Sequence, residues 1–160
     1  MTSRFPQAFL WNAFFLLVCM PTAWAHHGFN GRYDLSKPVW IEGVVTKAYF
    51  GQPHAELSIR TAASLAVPSP LPDLAESSSF LSAGSLVVIQ ELRGQVVRVE
   101  LPPTGQFFSL ERRIKVGDRV AVIAVRNCDS PFQLNGQWVK AGNGAPVARS
   151  GSMSYMVKGC

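Results

Sequence analysis

The clearest pattern in the chain is a period of two. His54–Arg60 sets Ala55, Leu57 and Ile59 on one face and His54, Glu56, Ser58 and Arg60 on the other, which predicts a strand with one buried and one wet face. Before it, Val39–Phe50 is rich in β-branched and aromatic residues and predicts a longer strand, with Gly43 marking a bulge. Gly51-Gln52-Pro53 is the turn between them. Leu86–Leu92 and Gln95–Leu101 are strand-like on either side of Arg93-Gly94, either as a hairpin or as one strand kinked at the glycine. Arg119–Arg126 is a nearly continuous apolar run, the mark of a strand buried on both faces. Beyond Cys128, turns at Asp129–Pro131 and Asn135-Gly136 frame a short strand at Gln137–Lys140, and a last strand falls near Ser152–Val157.

A different period appears once. Phe107, Leu110 and Ile114 recur at spacings of three and four, so Gln106–Ile114 is the helical candidate, closed by a turn at Lys115–Asp118. Ala62–Ser85 follows neither period. With Pro68, Pro70, Pro72 and the run Ser77–Ser79 it reads as a long surface insertion, flexible at least in part. About five strands with one short helix before the fourth predict an all-β fold, a small Greek-key barrel of the OB type. An immunoglobulin-like sandwich is the runner-up, and it needs more strands than these.

The first 25 residues have another character. Arg4 precedes an apolar run from Ala8 to Met20 broken only by Asn12, and Ala23-Trp24-Ala25 offers small residues at the −3 and −1 positions of a cleavage site. That order is the one a secretory signal peptide shows, and the run is short for a membrane span, which needs roughly 20 apolar residues. The reading is a signal peptide over 1–25, cleaved after Ala25, and a single barrel domain over 26–160 with no transmembrane segment. An uncleaved anchor and a lipid-modified Cys19 are the alternatives, although Val18 stands where a lipobox wants a small residue.

Export changes how the cysteines and charges are read. Of three cysteines, Cys19 leaves with the signal, and the pair Cys128 and Cys160 becomes a disulfide candidate in an oxidising compartment, against the plainer reading of two separate thiols. The net charge of the whole chain is +5, and losing Arg4 leaves +4. The charge is thinly spread, and solubility accounts for it. An exported basic protein meets membrane surfaces and acidic polymers, so nucleic acid is discounted as a partner.

Catalytic signatures are missing. The sequence holds no G-x-S-x-G, no H-E-x-x-H, no C-x-x-C and no phosphate-binding glycine loop. Its ten carboxylates are scattered rather than paired. The three histidines are the exception, because cleavage after Ala25 would open the mature chain with His26-His27. The freed α-amino group and the imidazole of His26, joined by His54 at a strand end, would make a T-shaped nitrogen set. Such a set suits Cu(II), which favours tetragonal nitrogen sites. Glu56, on the same strand face as His54, is an extra or outer ligand. A second binding mode uses the amine, a deprotonated amide and His27. Against both stands the ordinary reading of solvated terminal histidines and a hydrogen-bonding histidine at a strand end. Trp40, Tyr49, Phe50 and Trp138 are candidates for an aromatic ligand platform, which core packing equally explains.

Several of these residues fall into a recognisable series. Ala25-His26-His27-Gly28-Phe29, then Tyr33-Asp34, Lys37-Pro38, Gly43-Val44-Val45-Thr46-Lys47 and Pro53-His54-Ala55 resemble a family of small exported bacterial proteins of unknown function. Its members open with a His-His-Ser-Phe-like segment, pass through Lys-Pro into a Gly-x-Val strand and reach an Asn-Pro-His turn. Ile114–Val120 resembles the turn and strand that follow. The resemblance implies a periplasmic OB-like barrel, puts His26, His27 and His54 on the family's histidine positions, and supplies no activity. Gly28 replaces the usual serine and Gln52 the usual asparagine, a side chain that would cap the turn before His54.

Three functions follow as expectations. The first is a non-enzymatic periplasmic binding module with copper held by His26, His27 and His54. The second is an interaction or assembly protein of the cell envelope with no metal role, docking a partner protein by its barrel edge or by Ala62–Ser85. The third is a copper-dependent redox enzyme.

Overall fold

The computed structural model describes residues 31–160. The segment read as a signal peptide, together with His26 and His27, lies outside the described residues. Five strands close a barrel: β1 (Tyr33–Tyr49), β2 (Glu56–Thr61), β3 (Val96–Glu100), β4 (Arg119–Asn127) and β5 (Leu134–Ala141). Around the barrel they run β2-β3-β5-β4-β1, and β1 pairs β2 to complete the circuit. Every pairing is antiparallel except β3 with β5. Helix α1 (Gly105–Phe108), prolonged by a 3-10 turn at Ser109–Arg112, sits between β3 and β4. Short strands β6 (Val147–Ala148) and β7 (Met156–Val157) add to β5 and β1. This is the small OB-like barrel that the strand count predicts.

Closure depends on β1 serving two neighbours. Its first half pairs β4, from Tyr33 opposite Asn127 to Val44 opposite Arg119, and its second half pairs β2, from Gly43 opposite Thr61 to Tyr49 opposite Glu56. The two registers overlap at Gly43 and Val44, and the register shifts of β1 fall at Val45–Lys47 and Asp34–Val39 rather than at Gly43, where the sequence predicts a bulge. A Cβ there would stand 2.1 Å from the carbonyl oxygen of Arg60, so only glycine lets the two backbones approach.

Alternation then sorts the side chains. Ile41, Leu57, Ile59, Val97, Val99, Val122 and Val139 point inward, and Phe107, Leu110 and Ile114 from the α1 segment close one side of that core. The outward faces of β1, β4 and β5 carry a second apolar cluster containing Trp40, Ile123, Val125 and Trp138. This explains the continuous apolar run in β4, both of whose faces are covered.

The cover is the segment expected to be a flexible surface insertion. Leu65, Leu74 and Leu81 are buried in the second cluster, joined by Leu86 just beyond the segment, and the fully buried Ser77 places its hydroxyl 3.1 and 3.0 Å from the carbonyls of Gln137 and Arg149. Leucines spaced widely among prolines show no period, yet they suffice to seat an irregular segment on an apolar sheet face.

Three further expectations are corrected. Leu86–Leu92 is not a barrel strand: it makes one parallel bridge, Val39 with Val87, and turns over at Gln90–Leu92. Asn135-Gly136 is not a turn but lies within β5, because Gly136 faces the core, where Leu101, Val99 and Val122 leave no room for a Cβ. The helix is α-helical for only its first four residues.

Candidate functional site

His54 stands just ahead of β2, after the Gln52-Pro53 turn, at the end of the barrel where β3 finishes and β5 begins. Its side chain is partly buried, and Nε2 lies 3.8 Å from Oε1 of Glu100. Glu100 is the last residue of β3, and its side chain is only 9% exposed. The β2–β3 register sets Glu56 directly opposite Glu100. Two like charges so placed would repel, and Arg98 resolves the conflict. Its Nε lies 3.5 Å from Oε2 of Glu56 and its Nη2 lies 3.4 Å from Oε1 of Glu100. The carboxylate beside His54 is therefore Glu100, while Glu56, expected as an outer ligand, faces the guanidinium.

From Glu100 a chain of polar side chains runs across the barrel end. Gln133 donates from Nε2 to Oε2 of Glu100 at 3.4 Å, and Asn127 donates from Nδ2 to Oε1 of Gln133 at 2.9 Å. Asn127 is buried, and its Oδ1 accepts from the amides of Asp129 and Ser130, knitting the loop between β4 and β5. Gly31, in a left-handed conformation at φ +91°, packs against Asn127 so closely that a Cβ would come within 2.9 Å of its amide atoms. Arg32, next in the chain, accepts the Cys128 amide on its carbonyl at 2.7 Å. Burial pushes the Tyr33 hydroxyl up to about 12, its hydrogen bond with Asn127 works the other way, and the charge of Glu100 adds to the rise. The phenol therefore stays neutral beside the network.

A polar groove of about 380 Å³ opens next to this network, lined by Arg98, Glu100, Ser130, Phe132, Gln133 and Leu134. Phe132, at its rim, is 74% exposed. Cys128 and Cys160 form a disulfide with their Cα atoms 5.4 Å apart, so the loop carrying Ser130 and Phe132 is tethered at its start.

The aromatic residues separate. Trp40 and Trp138 pack 6.1 Å apart in the outer cluster, and Trp138 donates from Nε1 to the Asp73 carbonyl at 3.1 Å. Both are buried, and their edges line a cavity of about 560 Å³ between the prolines of the insertion and strands β1, β4 and β5. Tyr49 donates its hydroxyl to the Gln52 carbonyl at 2.7 Å, and Phe50 packs partly buried against the barrel core. Among the described residues no three of His, Cys, Asp and Glu gather as a metal-ligating group, and no helix is long and apolar enough to cross a membrane. Sequence reasoning missed Glu100, Gln133 and Asn127. Alternation puts Arg98 and Glu100 on the outward face of β3, but their meeting with His54 depends on the β2–β3 register.

Residues 15–67 match a protein family described as a family of unknown function (DUF6152). The match takes in His26, His27 and His54 but not Glu100. No curated protein matches the chain. Among solved structures, the barrel is similar to part of a chain in the crystal structure of a complex of TiaS with tRNA and ATP, with 18% identity and a TM-score of 0.39 over 69% of this chain and 19% of that one. The crystal structure of TiaS with tRNA, AMPCPP and agmatine gives 17% identity and a TM-score of 0.39 over 69% of this chain and 21% of that one. The chain spans about a fifth of the length of those proteins.

Proposed function

We propose that this chain is an exported, non-enzymatic binding module that holds Cu(II) between a processed N-terminus at His26 and His54. The observation that carries the reading is the place of Gly31 against Asn127. Gly31 packs on Asn127, and a series of contacts through Gln133 and Glu100 leads from Asn127 to His54. The five steps from His26 to Gly31 would span up to about 17 Å when extended, a length that would let an N-terminus at His26 turn back toward the barrel end that holds His54. A free amine, the imidazoles of His26 and His27 and the imidazole of His54 would supply the nitrogen donors that Cu(II) prefers. Because the ion would be held by groups from two separate parts of the chain, binding would also order the N-terminal residues on the barrel.

The test begins with the full chain, exported by a bacterial host and purified without a tag. Mass spectrometry reads its N-terminus, and copper titration followed by electron paramagnetic resonance reads its site. The expected result is a chain starting at His26 that binds one equivalent of nitrogen-ligated copper, and His54→Ala weakens that binding. Copper binding indifferent to His54→Ala, or a mature chain starting elsewhere, overturns the reading and turns attention to docking through the exposed Phe132.

A further inference from the structure

We infer that the cavity beneath the insertion binds a small aromatic acid, with an ether or carbonyl oxygen at its buried end and its carboxylate at Arg119 and Lys140. The inference is independent of copper. The volume of the cavity, about 560 Å³, is that of a small-molecule site. Its floor follows from the strand registers. Trp40, Ile123 and Trp138 stand abreast on β1, β4 and β5, and the next outward row is Glu42, Ala121 and Lys140. Two indoles beside the single methyl of Ala121 leave a hollow on the outer face, and Pro68, Pro70 and Pro72 of the insertion line it as well. Flat apolar walls of this kind suit a planar ring.

The polar groups are few and fall at opposite ends. Trp138 donates from Nε1 to the Asp73 carbonyl, but the buried Nε1 of Trp40 has no acceptor among the described residues. A buried donor left unmet costs about 1–3 kcal/mol, which an oxygen acceptor on the ligand would recover. At the other end Arg119 pairs with Val44, so it is the diagonal neighbour of both Glu42 and Lys140. All three charged side chains are exposed, and none forms an ion pair among the described residues. Two cations against one acid attract a carboxylate here, whereas Asp73, at the Trp138 end, turns it away. Val44 is four residues beyond Trp40 along β1, roughly 13 Å. Long cationic side chains shorten that gap, so two fused rings with an oxygen group at each end span it.

The probe is a methoxynaphthoate whose ether oxygen and carboxylate sit at opposite ends of the fused rings. Calorimetry follows its titration into the full chain, purified in the form a bacterial host leaves it. Two analogues separate the ends: the naphthoate without its methoxy group, and the neutral methoxynaphthamide. One equivalent of methoxynaphthoate should bind. The plain naphthoate should bind about fivefold more weakly and the amide about tenfold more weakly. Added salt should weaken the acid and leave the amide unchanged. Arg119→Gln/Lys140→Gln should bring the acid down to the level of the amide without affecting the amide itself. In Trp40→Phe the two acids should bind alike, because the donor that tells them apart is gone. Ala121→Leu should fill the hollow and abolish binding. If Trp40→Phe fails to fold, as thermal melting would show, the exposed Arg119/Lys140 pair decides. No saturable binding by the parent overturns the inference. Equal binding of acid and amide also overturns it, leaving an apolar hollow with no preference for acids, and equal binding of the two acids overturns the role of Trp40.

Discussion

Nδ2 of Asn127 donates to Oε1 of Gln133 at 2.9 Å, and this bond joins the last residue of β4 to the residue before β5. The same Asn127 accepts two amides of the intervening loop on Oδ1. Asn127→Ala should leave those two amides and the Gln133 side chain short of partners, at a cost of about 2–3 kcal/mol. Urea unfolding measures the loss, and a change under about 0.5 kcal/mol, the ordinary range for an unimportant surface substitution, would show that the loop holds without it.

The disulfide acts on the unfolded chain. It closes a loop between residues 32 apart in sequence, and the entropy it removes from the unfolded state corresponds to about 3–4 kcal/mol. Cys128→Ser/Cys160→Ser should lower stability by that order without changing the amide circular dichroism of the barrel. Equal stability of the parent with and without a reducing agent would show that the bridge is dispensable.

Asp34 links acidity to the tail. Burial works to raise its pKa, but the hydroxyl and amide of Ser36, the amide of Gly159 and the nearby Arg126 outweigh it, so the carboxyl is held below its ordinary value. A carboxyl that binds its proton less readily folded than unfolded adds stability above the ordinary carboxylate range. That stability disappears as pH falls through the lowered folded-state value. Acid unfolding should therefore be shallower in Asp34→Asn than in the parent over that window. Superimposable acid curves would remove Asp34 from the pH dependence.

Two glycines of β1 and β5 should differ in what an added methyl costs. At Gly43 the Cβ would meet a backbone carbonyl at 2.1 Å, and at Gly136 the nearest atom is a methyl of Leu101 at 2.7 Å. A leucine side chain has room to shift where a paired strand does not. Gly136→Ala should cost about 1–3 kcal/mol and Gly43→Ala more, to the point of preventing closure. Reversal of that order in denaturant unfolding would show that the close approach of β1 and β2 tolerates a side chain.

The insertion offers a further contrast. Leu74→Ala should cost about 2–5 kcal/mol, as truncation of a buried leucine does, because Leu74 is packed in the outer cluster. A loose surface loop would lose almost nothing, so a value near zero would return Ala62–Ser85 to that description.

The barrel strands could be read from the sequence because each carries its own instruction. Leu57 and Ile59 alternate with polar neighbours, and Val120–Val125 is apolar without a break, so period and run length identify β2 and β4 locally. Errors came where a distant contact overrules a local one. Asn135-Gly136 has the dipeptide of a tight hairpin, yet Asn135 pairs with Glu100 and Val125 while Gly136 accommodates Leu101. Leu86–Leu92 has strand composition but meets β1 at a single bridge. Of the candidate site, His54 was visible as one of only three histidines. Glu100, 46 residues further along, was not, because its place beside His54 follows from a β2–β3 register that no local pattern specifies.

Trp40 and Trp138 are the only tryptophans among the described residues, and both lie in the outer cluster rather than inside the barrel. Emission from these indoles would therefore report whether Leu74 and its neighbours still cover them, and would stay blind to the barrel interior. Heating that strips the cover first would shift the fluorescence to the red while the amide signal held steady. A fluorescence melting curve of the chain processed after Ala25, which would keep only these two of the four tryptophans, would record the departure of its outer layer under the name of unfolding.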